Sequence, residues 1–179
     1  QNIWRRLAIA YYSPKDVNGN TVDVPIADGS WGTELASTKL ATIQALHDKN
    51  IPIDIYWIDA GWYGPEKVPP GQTILVNSPW HDYRGDWTVS KDIYPNGFKP
   101  IGDLLKKYNI GFLLWIEIEG ANPGTQWPTR HPDWYLSSSE DKRNLLLNLG
   151  NPDALKGATD YISGMITDAG LTWYRVDSN

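Results

Sequence analysis

The chain contains no cysteine, and only one methionine, two phenylalanines and three histidines among its 179 residues. Without cysteine there is no disulfide framework, no thiolate zinc site and no cysteine nucleophile. His47, His81 and His131 lack the paired spacing of metal ligands, so no histidine-based metal centre is expected. Positive charge is not in excess either: 16 Lys and Arg stand against 21 Asp and Glu, a formal charge of −5. With no basic stripe to neutralise phosphates, a nucleic-acid partner is not expected. No apolar run approaches the ~18–20 residues that cross a bilayer, and Gln1–Ala10 shows no signal-peptide pattern, so no membrane partner is expected. The compartment stays open, because a cytoplasmic and a mature exported bacterial protein both fit these features. Starting with Gln rather than Met, the chain reads as a processed or excised piece. What it has in surplus is 10 Trp and 10 Tyr, flat rings that carry a polar handle.

Four near-continuous apolar or β-favouring runs read as strands: Leu7–Tyr12, Ile53–Ile58, Phe112–Ile118 and Thr172–Val176. Runs of this kind are typical of parallel strands covered on both faces. Between them lie three helical stripes. Leu35, Ala36, Leu40, Ile43 and Leu46 mark a helix over Glu34–Lys49, stopped by Asn50-Ile51-Pro52. Phe98, Ile101, Leu104, Leu105 and Tyr108 mark a second, which carries Pro100 near its start. A third runs through Leu155, Ala158, Ile162, Met165, Ile166 and Ala169; it opens on Asn151-Pro152 and closes on Gly170. The order β-α-β-α-β-α-β implies crossover units and a parallel sheet. Helix-to-strand links are short, whereas the strand-to-helix links Ser13–Thr33, Asp59–Gly97 and Glu119–Asn151 are long. Loops of that length are uncommon unless functional or disordered, and these lie where α/β proteins build their sites.

Three strands end on carboxylates: Asp59, Glu117 with Glu119, and Asp177. On adjacent parallel strands these acids converge on one rim. Unpaired buried carboxylates are costly, so such positions are tolerated mainly where they bind or react. The competing reading is that individual acids pair with Arg or backbone amides and only hold loops. Two chemistries fit the set: metal-assisted reactions on acidic ligands, and glycoside hydrolysis by paired carboxylates. Tryptophan near acids leans toward sugar, because indole faces stack on sugar C–H faces. Trp57, Trp115 and Trp173 lie within strands, where a core role competes. That explanation is weaker for Trp62, Trp80 and Trp87, which share one long loop.

Seven strings then occur in order: IDAGWYG (Ile58–Gly64), GDWTV (Gly85–Val89), PNGFK (Pro95–Lys99), WIEIE (Trp115–Glu119), HPDWYL (His131–Leu136), RNLLLNLGNP (Arg143–Pro152) and YRVDSN (Tyr174–Asn179). Together they resemble the catalytic barrel of the family 36 glycoside hydrolases, the melibiase-type α-galactosidases. Members of that family show DDGW, GDW, P-x-G, LWFEPE, HPDW, RNQLVLDLS-x-P and KWDMN in this order. The resemblance implies an α/β fold of parallel (β/α) units, the N-terminal half of a TIM (β/α)8 barrel spanning residues 1–179. It implies a retaining α-glycosidase that acts on terminal α-linked galactose, with a carbohydrate as its partner and no metal or organic cofactor. Asp177 matches the nucleophile of KWDMN, which forms the glycosyl-enzyme intermediate. Asp59, Trp62, Trp87, Arg143 and Arg175 fall on the substrate-binding set, with Trp115 and Glu117 in support.

The sequence departs from the family at several of these positions. Ala60 replaces the second aspartate of DDGW, Arg175-Val176 replaces Lys-Trp, and Asn148 replaces the aspartate of VLDLS. Arg offers a planar fork where Lys offers a compact ammonium, so the exchange is not neutral at a packed polar site. The departures touch the sugar-facing set and open two alternatives. One is an α-glycosidase of different sugar specificity; the other is a non-catalytic carbohydrate-binding remnant. Metal-dependent enolase-like chemistry ranks last, because no Lys or His base ends a strand. A retaining mechanism also needs an acid/base about 5–5.5 Å from the nucleophile. In the family that residue comes from a later strand, so the acid/base is expected outside this chain. The chain is therefore expected to be a fragment of about four β/α units, inactive unless the remaining half of the barrel or a second copy completes it.

Overall fold

The computed structural model describes residues 1–65, 80–137 and 144–177. In chain order its elements are α1 (Asn2–Tyr11), β1 (Ala27–Ser30), α2 (Ala36–Asp48), β2 (Ile55–Ile58), β3 (Tyr63–Gly64), β4 (Thr88–Val89), α3 (Lys99–Lys107), β5 (Gly111–Ile116), β6 (Gly120–Ala121), α4 (Gln126–Arg130), β7 (Tyr135–Ser137), β8 (Leu145–Leu147), α5 (Pro152–Ala169) and β9 (Trp173–Val176). The main sheet is parallel throughout, with strand order β1-β2-β5-β9. Each neighbouring pair is joined through a helix, so the sheet is built from successive crossover units.

The three crossover helices end alike. After α2, Asn50 adopts a left-handed φ of 52°, its N–H donates to the His47 carbonyl, and that of Ile51 donates to Leu46. After α3, Asn109 at φ 57° and Ile110 repeat those bonds to Lys106 and Leu105. After α5, Gly170 at φ 71° precedes Leu171, whose N–H donates to Ile166. This left-handed stop closes the orphan carbonyls at each helix end and turns the chain straight into the next strand. It accounts for the short helix-to-strand links. At the other end of α5, Asn151 caps the helix by accepting the Asp153 N–H at 2.9 Å, with Pro152 in the first turn, as the sequence predicts.

One predicted strand is not a strand. Leu7–Tyr12 lies within and just beyond α1, a helix that buries none of its residues. Its Arg5-Arg6-Leu7-Ala8 stretch favours helix, and no neighbouring strand rewards the extended form. The first strand of the sheet is instead β1, inside the stretch expected to be a long loop. Its sequence, Ala-Asp-Gly-Ser, is four small or polar residues without an apolar signature, and among the described residues it pairs with β2. Gly29 is needed there: a Cβ on it would stand 2.1 Å from the Trp57 carbonyl oxygen.

Strand parity then sorts the side chains. Tyr56, Ile58, Phe112, Leu114 and Ile116 point to the helix-covered face and are essentially inaccessible. They pack with Ile43 of α2, Ile101 and Leu105 of α3, and Ala158 and Ala169 of α5. The residues of opposite parity form the other face, where Gly29, Trp57, Leu113 and Trp173 align in one row across the sheet. Two strand-to-helix connections carry sheets of their own. β3 pairs with β4, and β6-β8-β7 form an antiparallel sheet.

Candidate active site

Parity brings Asp59, Trp115, Glu117, Arg175 and Asp177 to the same face as Trp57, beyond or near the carboxyl ends of their strands. Trp115 is in register with Arg175. Glu117 and Asp177 each follow directly on their strands, and Asp59 follows β2. Convergence of these acids on one rim is thus a consequence of strand register.

Asp177 is held by two donors on the same oxygen. Its Oδ2 accepts from the Trp115 indole N–H at 3.0 Å and lies 2.9 Å from the Arg175 guanidinium. That guanidinium also sits over the Trp57 ring, 4.9 Å from its centroid, a cation–π placement. Asp59 turns one carboxylate oxygen back to accept the Ala60 N–H at 2.7 Å. A cavity of about 210 Å³ lies between these groups, walled by Trp31, Trp57, Trp80 and Trp115 and edged by Asp59, Arg175 and Asp177. Asp177 also borders a larger cavity of about 600 Å³, lined among others by Arg84, Glu117, Glu119 and Asn144. The nucleophile candidate therefore stands between an aromatic cavity and one lined by both charged and aliphatic side chains.

Glu117 is placed differently. It is buried, and its Oε1 meets the Arg84 guanidinium at 2.8 Å; Arg84 also donates to Asn144 Oδ1 at 2.8 Å. A Cβ on Gly120 would stand 2.9 Å from that same Glu117 oxygen, so the chain passes close to the ion pair. Asp86, from the GDW string, accepts the backbone N–H of Gln126 at 2.7 Å and steadies the start of α4. Burial pushes its carboxyl up, against the lowering effect of that hydrogen bond. Among the described residues no group of three or more His, Asp or Glu is arranged to hold a metal.

The structure brings together Asp59, Trp115, Arg175 and Asp177, with Glu117 nearby, and it moves two expected residues away from the cavity. Trp62 and Trp87 are core residues, with 0% and 2% exposure. β3 and β4 pair directly beside them, and both rings lie in the hydrophobic core. Trp62 donates its indole N–H to the Trp115 carbonyl at 2.8 Å, and the Trp87 ring lies 4.6 Å from that of Tyr63. Their places on the cavity wall are taken by Trp31 and Trp80 and by the strand residue Trp57. Arg143 lies outside the described residues. Arg84 and Trp31 were not singled out by the sequence reading. The signal for Arg84 was its place directly before Gly85-Asp86-Trp87; for Trp31 it was the turn after a strand that the hydropathy pattern does not reveal.

With this geometry in hand, comparison with known proteins is specific. The sequence model of the melibiase family matches residues 20–179. Alpha-galactosidase C of Emericella nidulans is 25% identical over 174 residues, which cover 89% of this chain and 22% of that protein. Alpha-galactosidase AgaA of Geobacillus stearothermophilus is 26% identical over 132 residues, 71% of this chain and 17% of its own. A solved variant of AgaA, a family 36 α-galactosidase in complex with 1-deoxygalactonojirimycin, superposes with a TM-score of 0.69 at 23% identity, covering 88% of this chain and 21% of that one. The galactosidase domain of the α-galactosidase–sucrose kinase AgaSK gives 0.71 at 18% identity, covering 96% and 23%. Other AgaA variants were solved with raffinose and with stachyose. The chain thus spans about a fifth of the length of the relatives it matches. These likenesses show the fold: the parallel sheet with its crossovers is an arc of the TIM-type barrel of family 36 α-galactosidases. Matched over most of its length, the chain belongs to the melibiase family.

Proposed function

We propose that this chain carries the nucleophile and part of the sugar subsite of a retaining α-galactosidase. The observation that supports this most is the placement of Asp177. It follows directly on a strand, is fixed by Trp115 and Arg175 on one oxygen, and faces a cavity walled by four tryptophans. Two donors on Oδ2 set the rotation of the carboxylate, which a nucleophile needs for in-line attack on an anomeric carbon. In the proposed reaction Asp177 forms a bond to that carbon as the glycosidic C–O bond breaks, and water later releases the sugar. The tryptophan walls offer flat faces for the C–H side of a pyranose, while Asp59 and Arg175 offer hydrogen bonds for its hydroxyls. The substrate class is terminal α-galactosides of oligosaccharides, the class represented by the raffinose and stachyose bound in solved relatives. Trp62 acts here from beneath, bonded to the Trp115 carbonyl with Trp87 against its ring, and Arg143 is retained as a sugar ligand on its sequence match alone.

A retaining reaction needs a second carboxyl group about 5–5.5 Å from the first, acting as acid and then base. Glu117 is committed to Arg84, which argues against it. We therefore assign the acid/base outside this chain, and residues 1–179 to the first four β/α units of an eight-unit barrel. The remaining half of that barrel, or a second copy, would complete the site. A second reading keeps the reaction and changes the sugar. It is favoured by Ala60, buried beside Asp59 where the family carries a second aspartate, and by Arg175, already engaged by Asp177 and Trp57. A mechanism-based galactose-configured fluorosugar tests both readings. Labelling of Asp177, located by peptide mass mapping, is the expected result. With the barrel completed by its remaining half, sugar binding without labelling overturns the enzymatic reading in favour of a binding remnant, and labelling only by a gluco- or manno-configured reagent selects the second.

A further inference from the structure

Lys39, on α2, has no exposed surface. Ammonium groups are rarely buried fully, because they lose hydration that only well-placed acceptors replace. Here each of the three N–H donors has an acceptor. Lys39 Nζ lies 2.6 Å from Ser30 Oγ, 2.6 Å from the Trp31 carbonyl oxygen and 3.4 Å from Glu34 Oε2. All three acceptors belong to the turn that leaves β1. Ser30 is the last residue of that strand, and Trp31 is a wall of the 210 Å³ cavity. The same turn is tied from two other directions. Tyr94 donates its hydroxyl to the Gly32 carbonyl at 2.7 Å, and the Gly32 N–H donates to the Ala60 carbonyl at 2.8 Å. The Trp31 side chain is 55% exposed, so packing around the indole contributes little to where it sits. Its position depends on the peptide that carries it.

We propose that Lys39 is a positioning residue for the carbohydrate cavity, holding the Ser30–Trp31 peptide so that the Trp31 indole faces Trp57 and Asp59. The proposal rests on reading that cavity as a sugar subsite. A structural tie alone would be served as well by Leu or Met, which fill the same space without an ammonium. What Lys adds is a grip on a backbone carbonyl that no apolar side chain provides. The grip depends on charge: burial pulls the Lys39 ammonium down to about 8, while Glu34 opposes the shift. The other ionisable groups facing this spot are Tyr56, whose hydroxyl lies 3.4 Å from Ser30 Oγ, Tyr94, and Asp28 beyond Tyr56. Burial pushes both phenols up, so they stay protonated while Lys39 titrates.

Fluorine NMR of the full chain labelled with fluorotryptophan tests this, with the Trp31 resonance assigned by Trp31→Phe. In Lys39→Met, a near-isosteric change, the Trp31 resonance is expected to shift or broaden while those of Trp62 and Trp87 stay in place. In the unsubstituted chain the Trp31 resonance is expected to titrate with a midpoint near 8, and in Lys39→Met to lose that titration. Affinity for 1-deoxygalactonojirimycin is expected to fall about tenfold in the variant. An unmoved Trp31 resonance in Lys39→Met overturns the proposal. If that variant fails to fold, an unmoved Trp31 resonance in Lys39→Leu overturns it. If the unsubstituted chain binds no iminosugar while the Trp31 resonance behaves as expected, the sugar reading fails and the positioning role stands.

Discussion

Two ion pairs at the ends of neighbouring strands look alike in covalent terms and differ in surroundings. Arg84–Glu117 and Arg175–Asp177 have N···O distances of 2.8 and 2.9 Å. Both acids are the first residue beyond a parallel strand, on β5 and β9, which pair with each other. The side chains of the first pair are 11% and 4% exposed, those of the second 37% and 30%. Glu117 draws its Arg from a distant connection and is sealed beneath Gly120. Asp177 draws its Arg from two residues earlier in its own strand and stays open to a cavity. Position at a strand end brings both acids to one rim, and the origin of the partner cation goes with whether the acid is sealed or open to a cavity.

The sharpest test of that contrast is chemical. Asp177→Asn is expected to abolish labelling by a mechanism-based galactoside reagent, whereas Glu117→Gln is expected to preserve it, read by intact mass. Equal loss in both would erase the distinction. The next is energetic. Glu117→Ala leaves the Arg84 cation buried without this partner and is expected to cost about 3–5 kcal/mol. Arg175→Ala, at a screened and partly exposed pair, is expected to cost about 1 kcal/mol or less. Urea denaturation of the two variants measures the difference. A third test addresses the face that both pairs share. Gly29→Ala would set a methyl 2.1 Å from the Trp57 carbonyl oxygen. It is expected to lose about 1–3 kcal/mol and to shift the tryptophan emission as β1 moves off β2.

The last test concerns the other buried cation, Lys39, which has one carboxylate near it. The Lys39 ammonium is pulled below its ordinary value of 10.5 to about 8. Between those values the unfolded chain holds a proton that the folded chain has released. Stability from this group therefore rises as pH increases through that window. Thermal melts are expected to show the unsubstituted chain gaining on Lys39→Met from pH 8 toward 10.5. A constant difference between them would place the lysine's titration elsewhere.

The main framework was legible because its signals are local and repeated. Ile55–Ile58, Gly111–Ile116 and Trp173–Val176 are runs of residues that favour a covered strand, and Asn151 and Gly170 mark the two ends of α5 as helix physics requires. Ala27–Ser30 was invisible because four small or polar residues, one a glycine under the Trp57 backbone, have no hydropathy to display. The acids Asp59, Glu117 and Asp177 were found by strand-end position, while the pairing that separates Glu117 from Asp177 required Arg84, 33 residues away from Glu117 in the chain. Strand or loop position sorted the tryptophans only in part: Trp80, in the long loop, walls the cavity. Trp57, in a strand, looked like a core residue and faces the cavity; Trp62 and Trp87, in a loop, looked exposed and are buried. Parity along β2 decides the first, and the other two lie in the core beside the β3–β4 pair. Neither is encoded in residue type.

The small antiparallel sheet β6-β8-β7 lies entirely within one connection between β5 and α5. Its ladder bonds are internal, but the connection that carries it is tied at several points to the one between β2 and α3: the Asn122 N–H donates to the Arg84 carbonyl, the Trp127 N–H to the Gly85 carbonyl and the Gln126 N–H to Asp86. Leu147, Trp127 and Trp134 also pack into the core. The two connections therefore interlock over the strand ends. Exchanging either one alone would strip the other of these partners, so change on this rim is expected to involve both connections together.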